Sequence, residues 1–153
     1  MTFEEEVLSL CKDKDTVFIF ISKNDEVQTL GIIEKLLLQE KEVIVPISIE
    51  KNKTLGISEI ISSDDLRLGT YGILEPKKIR TVDKSNIDIF FVPGTIFDKK
   101  GNRKGRGLGY FDRFLADVKG KKPIIGLCFE EQVVERLKVN PWDVPVDKVL
   151  AKS

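Results

Sequence analysis

Two short apolar runs leave this chain little choice of architecture. TVFIFIS (16–22) and EVIVPIS (42–48) are rich in β-branched residues, and the first is apolar on both faces. A strand of that kind has to be covered on both sides, as in a parallel sheet held between helices. The intervening NDEVQTLGIIEKLLLQEK places Val27, Leu30, Ile33 and Leu37 at helical spacing, with Asn24 or Asp25 able to cap the start. Strand, helix and strand in that order predict a right-handed parallel crossover. IDIFFVP (87–93) and PIIGLCF (123–129) predict two further buried strands, and VDKVLAK an edge strand that closes the sheet. EEEVLSLCK and EEQVVERL read as short helices. TLGISEIIS reads as a strand, or a strand and a turn. DDLRLGTYGILEP (64–76), with its glycines and closing proline, reads as an ordered loop. No repeat, low-complexity tract or linker divides the 153 residues, so a single α/β domain over 1–153 with a mostly parallel sheet is expected.

Composition removes several functions. Basic and acidic residues balance at 25 each, which argues against a general nucleic-acid or membrane-surface binder. No apolar run is long enough to cross a bilayer, and the acidic MTFEEEVLSLCKDKD lacks the plan of a signal peptide, so a cytoplasmic protein is expected. Cys11 and Cys128 match no zinc spacing. There is no histidine, which excludes Ser-His-Asp and Cys-His catalysis and imidazole-bound zinc. A metal here would be a hard cation on carboxylates, magnesium above all.

The most unusual stretch is GNRKGRGLGYFDRF (101–114), which follows a buried strand and leads into a helix expected over about 109–118. A helix start presents free backbone N–H groups, and glycine lets an anion approach them closely. Arg103, Lys104 and Arg106 add cations, and arginine can grip a phosphate through two N–H groups. The stretch is neither a Walker A loop nor G-x-G-x-x-G. By spacing alone, a phosphate cradle and a solvated turn both remain open. Phe111, Phe114, Leu115 and Val118 recur at i, i+3, i+4 and i+7 and should face the core. Asp112 could serve the helix dipole or a magnesium ion.

VPGTIFDKKGNRKGRGLGYFDRFL resembles the signature of the 5-formyltetrahydrofolate cyclo-ligase (methenyltetrahydrofolate synthetase) family, roughly P-G-x-x-F-D-x-x-G-x-R-x-G-x-G-x-G-Y-Y-D-x-x-L. It matches at Pro93, Gly94, Phe97, Asp98, Gly101, Arg103, Gly105, Gly107, Gly109, Tyr110, Asp112 and Leu115. NDEVQT, EVIVPIS, TYGILEP, IIGLCFEEQ and NPWDVPVDKVL resemble further family segments in the same order, so the resemblance covers about residues 16–150. The chain departs from the pattern at Lys104, Leu108 and Phe111, and Trp142 stands where the family has histidine before its closing aspartate. MTFEEEVLSLCK is acidic where the family opens with a basic K-x-x-L-R helix, so a member with a reduced N-terminal segment is expected.

The resemblance implies a three-layer α/β/α sandwich and an ATP- and magnesium-dependent reaction. The formyl oxygen of 5-formyltetrahydrofolate attacks the γ-phosphate, N10 then attacks the imino-phosphate, and 5,10-methenyltetrahydrofolate, ADP and phosphate result. It also implies roles for residues. Arg103, Lys104, Gly105, Arg106, Gly107, Leu108, Gly109, Tyr110 and Phe111 would hold ATP, with Arg106 and Tyr110 catalytic. Glu26, Tyr71 and Tyr110 would meet the folate or a related pterin, and Asp112 and Asp143 would bind magnesium. Phosphoryl transfer needs positioning and cations more than a protein nucleophile, so a histidine-free site suits it. The alternative is a family member that has lost the ligase reaction and binds a nucleotide, a pterin or RNA through the basic loop.

Overall fold

A computed structural model describes residues 1–49, 54–69, 72–107 and 109–153. In chain order the elements are α1 (Phe3–Leu10), β1 (Thr16–Ile19), α2 (Leu30–Leu38), β2 (Glu42–Ile49), β3 (Thr54–Ile60), β4 (Leu66–Leu68), β5 (Leu74–Pro76), β6 (Ile89–Val92), β7 (Ile96–Asp98), β8 (Arg103–Lys104), α3 (Tyr110–Leu115), β9 (Ile124–Phe129), β10 (Val133–Val134) and β11 (Lys148–Lys152).

The main sheet has the order β11-β9-β6-β1-β2-β3. Neighbours from β11 to β2 are parallel, and only β3 runs antiparallel, at one edge. Successive side chains of a strand point to opposite faces, and each face here has its own cover. On one side Val17, Ile19, Ile89, Phe91, Ile125 and Leu127 pack under α1 and α2. On the other, Phe18, Phe90, Val92, Ile124 and Cys128 pack under α3, β7 and the segment carrying Val144 and Val146. This is the three-layer α/β/α arrangement. Phe114 of α3 fixes that helix over the middle strands, its ring 5.0 Å from Phe18 and 5.9 Å from Phe90. Among the described residues, no helix is long and apolar enough to cross a membrane.

Several elements differ from expectation. The helix read from Asn24 begins only at Leu30, and neither Asn24 nor Asp25 caps it. Thr29 precedes it and spends its side chain on the loop instead, donating to Phe20 O (2.8 Å) and accepting from Ser22 N (3.0 Å). Residues 20–29 therefore stay a loop folded over the end of β1. The region read as a loop over 64–76 carries the β4–β5 pair, and the loop over 93–108 carries the β7–β8 pair. EEQVVERL is not a helix beyond one 3-10 turn, Glu130–Gln132. The Gln132 side chain donates to Gly94 O and Thr95 O, and Val133 and Val134 join β7 as β10. The third helix ends at Leu115, short of 118.

Candidate functional site

Strand order places the site. From β1 the chain crosses to β2 on one side, and later returns to β6 on the other. In open α/β sheets, ligands bind beyond the carboxyl ends of the strands where the order reverses in this way. The loop 20–29 leaves β1 at that end, and the loop 93–109 leaves β6 there.

The second loop is built around a buried carboxylate. Asp98, fully buried, accepts from the amides of Lys100 and Asn102 (both 2.9 Å), from Asn102 Nδ2 (2.9 Å) and from Leu137 N (3.0 Å). Burial alone would raise its pKa. The Asn102 side chain and the three backbone amides outweigh burial and push the carboxyl down to about 2. The turn it ties together sends β8 back beside β7 and delivers Arg103 to the interior.

Arg103 is only 3% exposed. Its Nη1 donates to Pro93 O (2.8 Å), Nη2 lies 3.8 Å from Asp112 Oδ1, and the guanidinium sits 5.4 Å from the Phe111 ring centre. Its Nε has no hydrogen-bond partner among the described residues. Burial lowers its pKa, opposed by the charges of Asp112 and Asp143. Arg103 thus lies beneath the glycine loop rather than on its surface. Gly105 packs over it, since a Cβ there would come 3.3 Å from Arg103 Nη1.

The other cations of the loop meet acids. Lys104 Nζ donates to Asp143 Oδ2 at 2.6 Å. Arg106, half exposed, pairs with Asp25 through Nη2 at 3.2 Å. That pair joins the loop after β6 to the loop after β1. Two residues from Asp25's end of this bridge, Lys23 N donates to the Glu26 carboxylate at 2.8 Å, so Glu26 closes a tight turn at the strand end.

Gly107 (φ +91°) and Gly109 (φ +70°) take left-handed backbone angles that side chains other than glycine adopt only with strain. Both line a cavity of about 560 Å³ together with Asp112, Trp142 and Asp143. Asp112 accepts from Val144 N (3.0 Å), and Asp143 from Asn140 N (2.8 Å), which locks the 140–144 segment against α3. Burial would raise Asp143, but the Asn140 amide and Lys104 outweigh it and lower its pKa. Tyr110 is partly buried, its ring 5.7 Å from the Arg113 guanidinium. Phe111 packs edge-on to Phe18 at 6.4 Å, a core role.

The structure therefore brings together Gly107, Gly109, Asp112 and Asp143 on one cavity. It sets Arg103 and Lys104 behind them, and links Arg106 to the Glu26 loop. Glu26 itself does not line this cavity. Tyr71 and Leu108 lie outside the described residues. The sequence offered Asp25 only as a helix cap, a role it does not take, and Trp142 only as a departure from the family's histidine; Asp98 matched a signature without a task. A lone acid or aromatic in a loop carries no periodic signal; only the folded turn shows its partners.

The two cavity carboxylates fit a magnesium ion by the chemistry of their donors. Each uses one oxygen on a backbone amide, and among the described residues no hydrogen bond reaches Asp112 Oδ2 or Asp143 Oδ1. Magnesium takes one or two carboxylates plus phosphate and water, and not a closed protein cage. No cluster of three potential ligands occurs among the described residues. The thiols of Cys11 and Cys128 are buried and pushed up to about 11 by desolvation, which leaves them unreactive.

Comparison with known proteins identifies the family and the fold. The sequence profile of the 5-formyltetrahydrofolate cyclo-ligase family matches residues 3–152. A 5-formyltetrahydrofolate cyclo-ligase of Haemophilus influenzae is 35% identical over 138 residues, covering 88% of this chain and 74% of the relative. The solved 5,10-methenyltetrahydrofolate synthetase of Aquifex aeolicus is 32% identical and superposes with a TM-score of 0.77 over 97% of this chain and 77% of its own. That of Mycoplasma pneumoniae, at 21% identity, shares the fold with a TM-score of 0.76 over 99% of this chain and 83% of its own. With the fold, the glycine loop and the two cavity aspartates in place, the chain belongs to the 5-formyltetrahydrofolate cyclo-ligase family of enzymes.

Proposed function

We propose that this protein is a cytoplasmic enzyme that converts 5-formyltetrahydrofolate to 5,10-methenyltetrahydrofolate, using ATP and magnesium and releasing ADP and phosphate. The observation that carries the reading is the convergence of Gly107, Gly109, Asp112 and Asp143 on one cavity. They meet beyond the strand end at which such sheets bind ligands. In this reading the backbone around Gly105–Gly109, including Leu108, receives the triphosphate. Asp112 and Asp143 hold the magnesium ion, which supplies positive charge to the phosphates. Buried Arg103 keeps its charge under the loop, where low polarity strengthens its field. Lys104 holds Asp143 in place. Arg106 leaves Asp25 to meet the phosphoryl group as charge develops on it. Tyr110, outside the cavity lining, is assigned to the rim of the site, and Phe111 to the core beside Phe18. Glu26 and Tyr71 are assigned to the pterin or formyl end. The formyl oxygen takes the γ-phosphoryl group and ADP leaves; N10 then displaces phosphate and closes the ring.

The pairing of the loop's cations weighs against the RNA-binding alternative. Lys99 pairs with Glu135, Lys104 with Asp143 and Arg106 with Asp25, and Arg103 is buried, which leaves Lys100 alone of the five without an acid partner among the described residues. A phosphate backbone needs cations presented at the surface. The test is a turnover assay with 5-formyltetrahydrofolate, ATP and magnesium that follows the methenyl chromophore. Product should form with the native chain and fall at least a hundredfold with Arg106→Ala or Asp112→Ala. Absence of product from the folded native chain would refute the ligase.

A further inference from the structure

We infer that Trp142 is the platform on which the purine base of the nucleotide stacks. The inference rests on reading the cavity as a nucleotide site. Trp142 is 69% exposed, although tryptophan has the most to gain from burial. It lines the same 560 Å³ cavity as Gly107, Asp112 and Asp143, a size suited to a small organic ligand. Its backbone is held on both sides. Asp143 N donates to Asn140 O (3.0 Å), Asp143 accepts from Asn140 N and Lys104, and Val144 N donates to Asp112. Pro141 precedes it and lines the cavity too. An aromatic ring on a fixed backbone costs little to order on binding, which makes stacking on it effective.

The cavity runs along the outer side of α3, where Ala116 and Lys119 join its lining. The small side chain of Ala116 takes up little of the cavity that Trp142 also lines. A flat heteroaromatic ring could come from a nucleotide or from a pterin. The nucleotide is favoured because the groups suited to phosphate and magnesium share this cavity, whereas Glu26, assigned to the pterin end, does not line it. Trp142 therefore binds the base and takes no part in the chemical step.

Trp142 is the chain's single tryptophan, so fluorescence excited selectively at tryptophan reports on it alone. The experiment titrates the full chain, Trp142→Ala and Trp142→Phe with magnesium adenylyl imidodiphosphate and, separately, with magnesium tripolyphosphate. Calorimetry and native-chain fluorescence are the readouts. The adenine analogue should alter the emission and tripolyphosphate should not. Trp142→Ala should bind the analogue about tenfold more weakly, with tripolyphosphate binding unchanged and most affinity restored in Trp142→Phe. In turnover, the KM for ATP should rise about tenfold while kcat and the KM for 5-formyltetrahydrofolate hold. Equal analogue affinity in Trp142→Ala and the native chain would overturn the inference and leave the ligase reading standing. A change confined to the KM for 5-formyltetrahydrofolate would overturn it in favour of the pterin. A native chain that binds no adenine nucleotide at all would overturn both readings.

Discussion

Asp98 carries four hydrogen bonds in the interior, and the β7–β8 turn has no other tie of that density. Asp98→Ala would strand three backbone amides, each costing on the order of 1 kcal/mol or more, so a loss of about 3 kcal/mol in denaturant unfolding is expected. The carboxyl's pKa is depressed from 3.8 to about 2 in the folded chain. Its charge therefore contributes stability that is complete above the ordinary pKa and is lost as the pH falls from about 4 to 2. Thermal melts of Asp98→Asn should lack that part of the acid dependence; an unchanged acid limb would show that other groups set it. Asp112 and Asp143 are acids of a different kind: each lines the cavity and holds an amide through one oxygen, while no hydrogen bond among the described residues reaches the other. Asn at either position keeps an acceptor for Val144 N or Asn140 N. Each Asp→Asn variant should need at least tenfold more magnesium for half-maximal turnover, and should melt below the native chain because it removes a charge that offsets buried Arg103.

At the level of elements, the contact that seats the site loop on the sheet is Phe97 of β7 against Gly126 of β9. A Cβ at residue 126 would run into the Phe97 ring, its Cζ only 2.8 Å away. Gly126→Ala should cost about 2 kcal/mol by overpacking, and Phe97→Leu in the same chain should recover part of that loss. Additive losses in the double variant would mean the two elements do not press on each other. The elements that sequence made legible share a cause with those it did not. Strands β1, β6 and β9 were readable because burial on both faces needs continuous apolar runs. The start of α2 was not, because Val27 falls at helical spacing yet Thr29 bonds back to Phe20 O and Ser22 N, a choice made by the end of β1. The β7–β8 pair and β10 were missed because two- and three-residue strands have no period to detect. The β7–β8 turn is tied by Asp98 through Lys100, Asn102 and the distant Leu137, and β10 is brought to β7 by Gln132, whose partners lie across the fold.

For the molecule as a whole, the sheet order puts the loops after β1 and β6 side by side, and Asp25–Arg106 is where they touch, 81 residues apart in the chain. Parallel crossovers were legible from the alternation of strands and helix; the return of β6 to the far side of β1 was not, since strand order leaves no mark on local pattern. Both partners of this ion pair are more than half exposed, with side chains 71% and 54% accessible, so it adds little to stability. Its consequence is electrostatic. Asp25 occupies the guanidinium proposed to meet the transferred phosphoryl group. Asp25→Asn should therefore lower the KM for ATP several-fold at low ionic strength, with the gain shrinking as salt screens the native pair. Its melting temperature should stay within about 2 °C of the native chain. Asp25→Asn combined with Arg106→Ala should show no such gain, because the cation being released is gone. A KM for ATP that is indifferent to Asp25 at every salt concentration would mean that Arg106 is not held back by this contact.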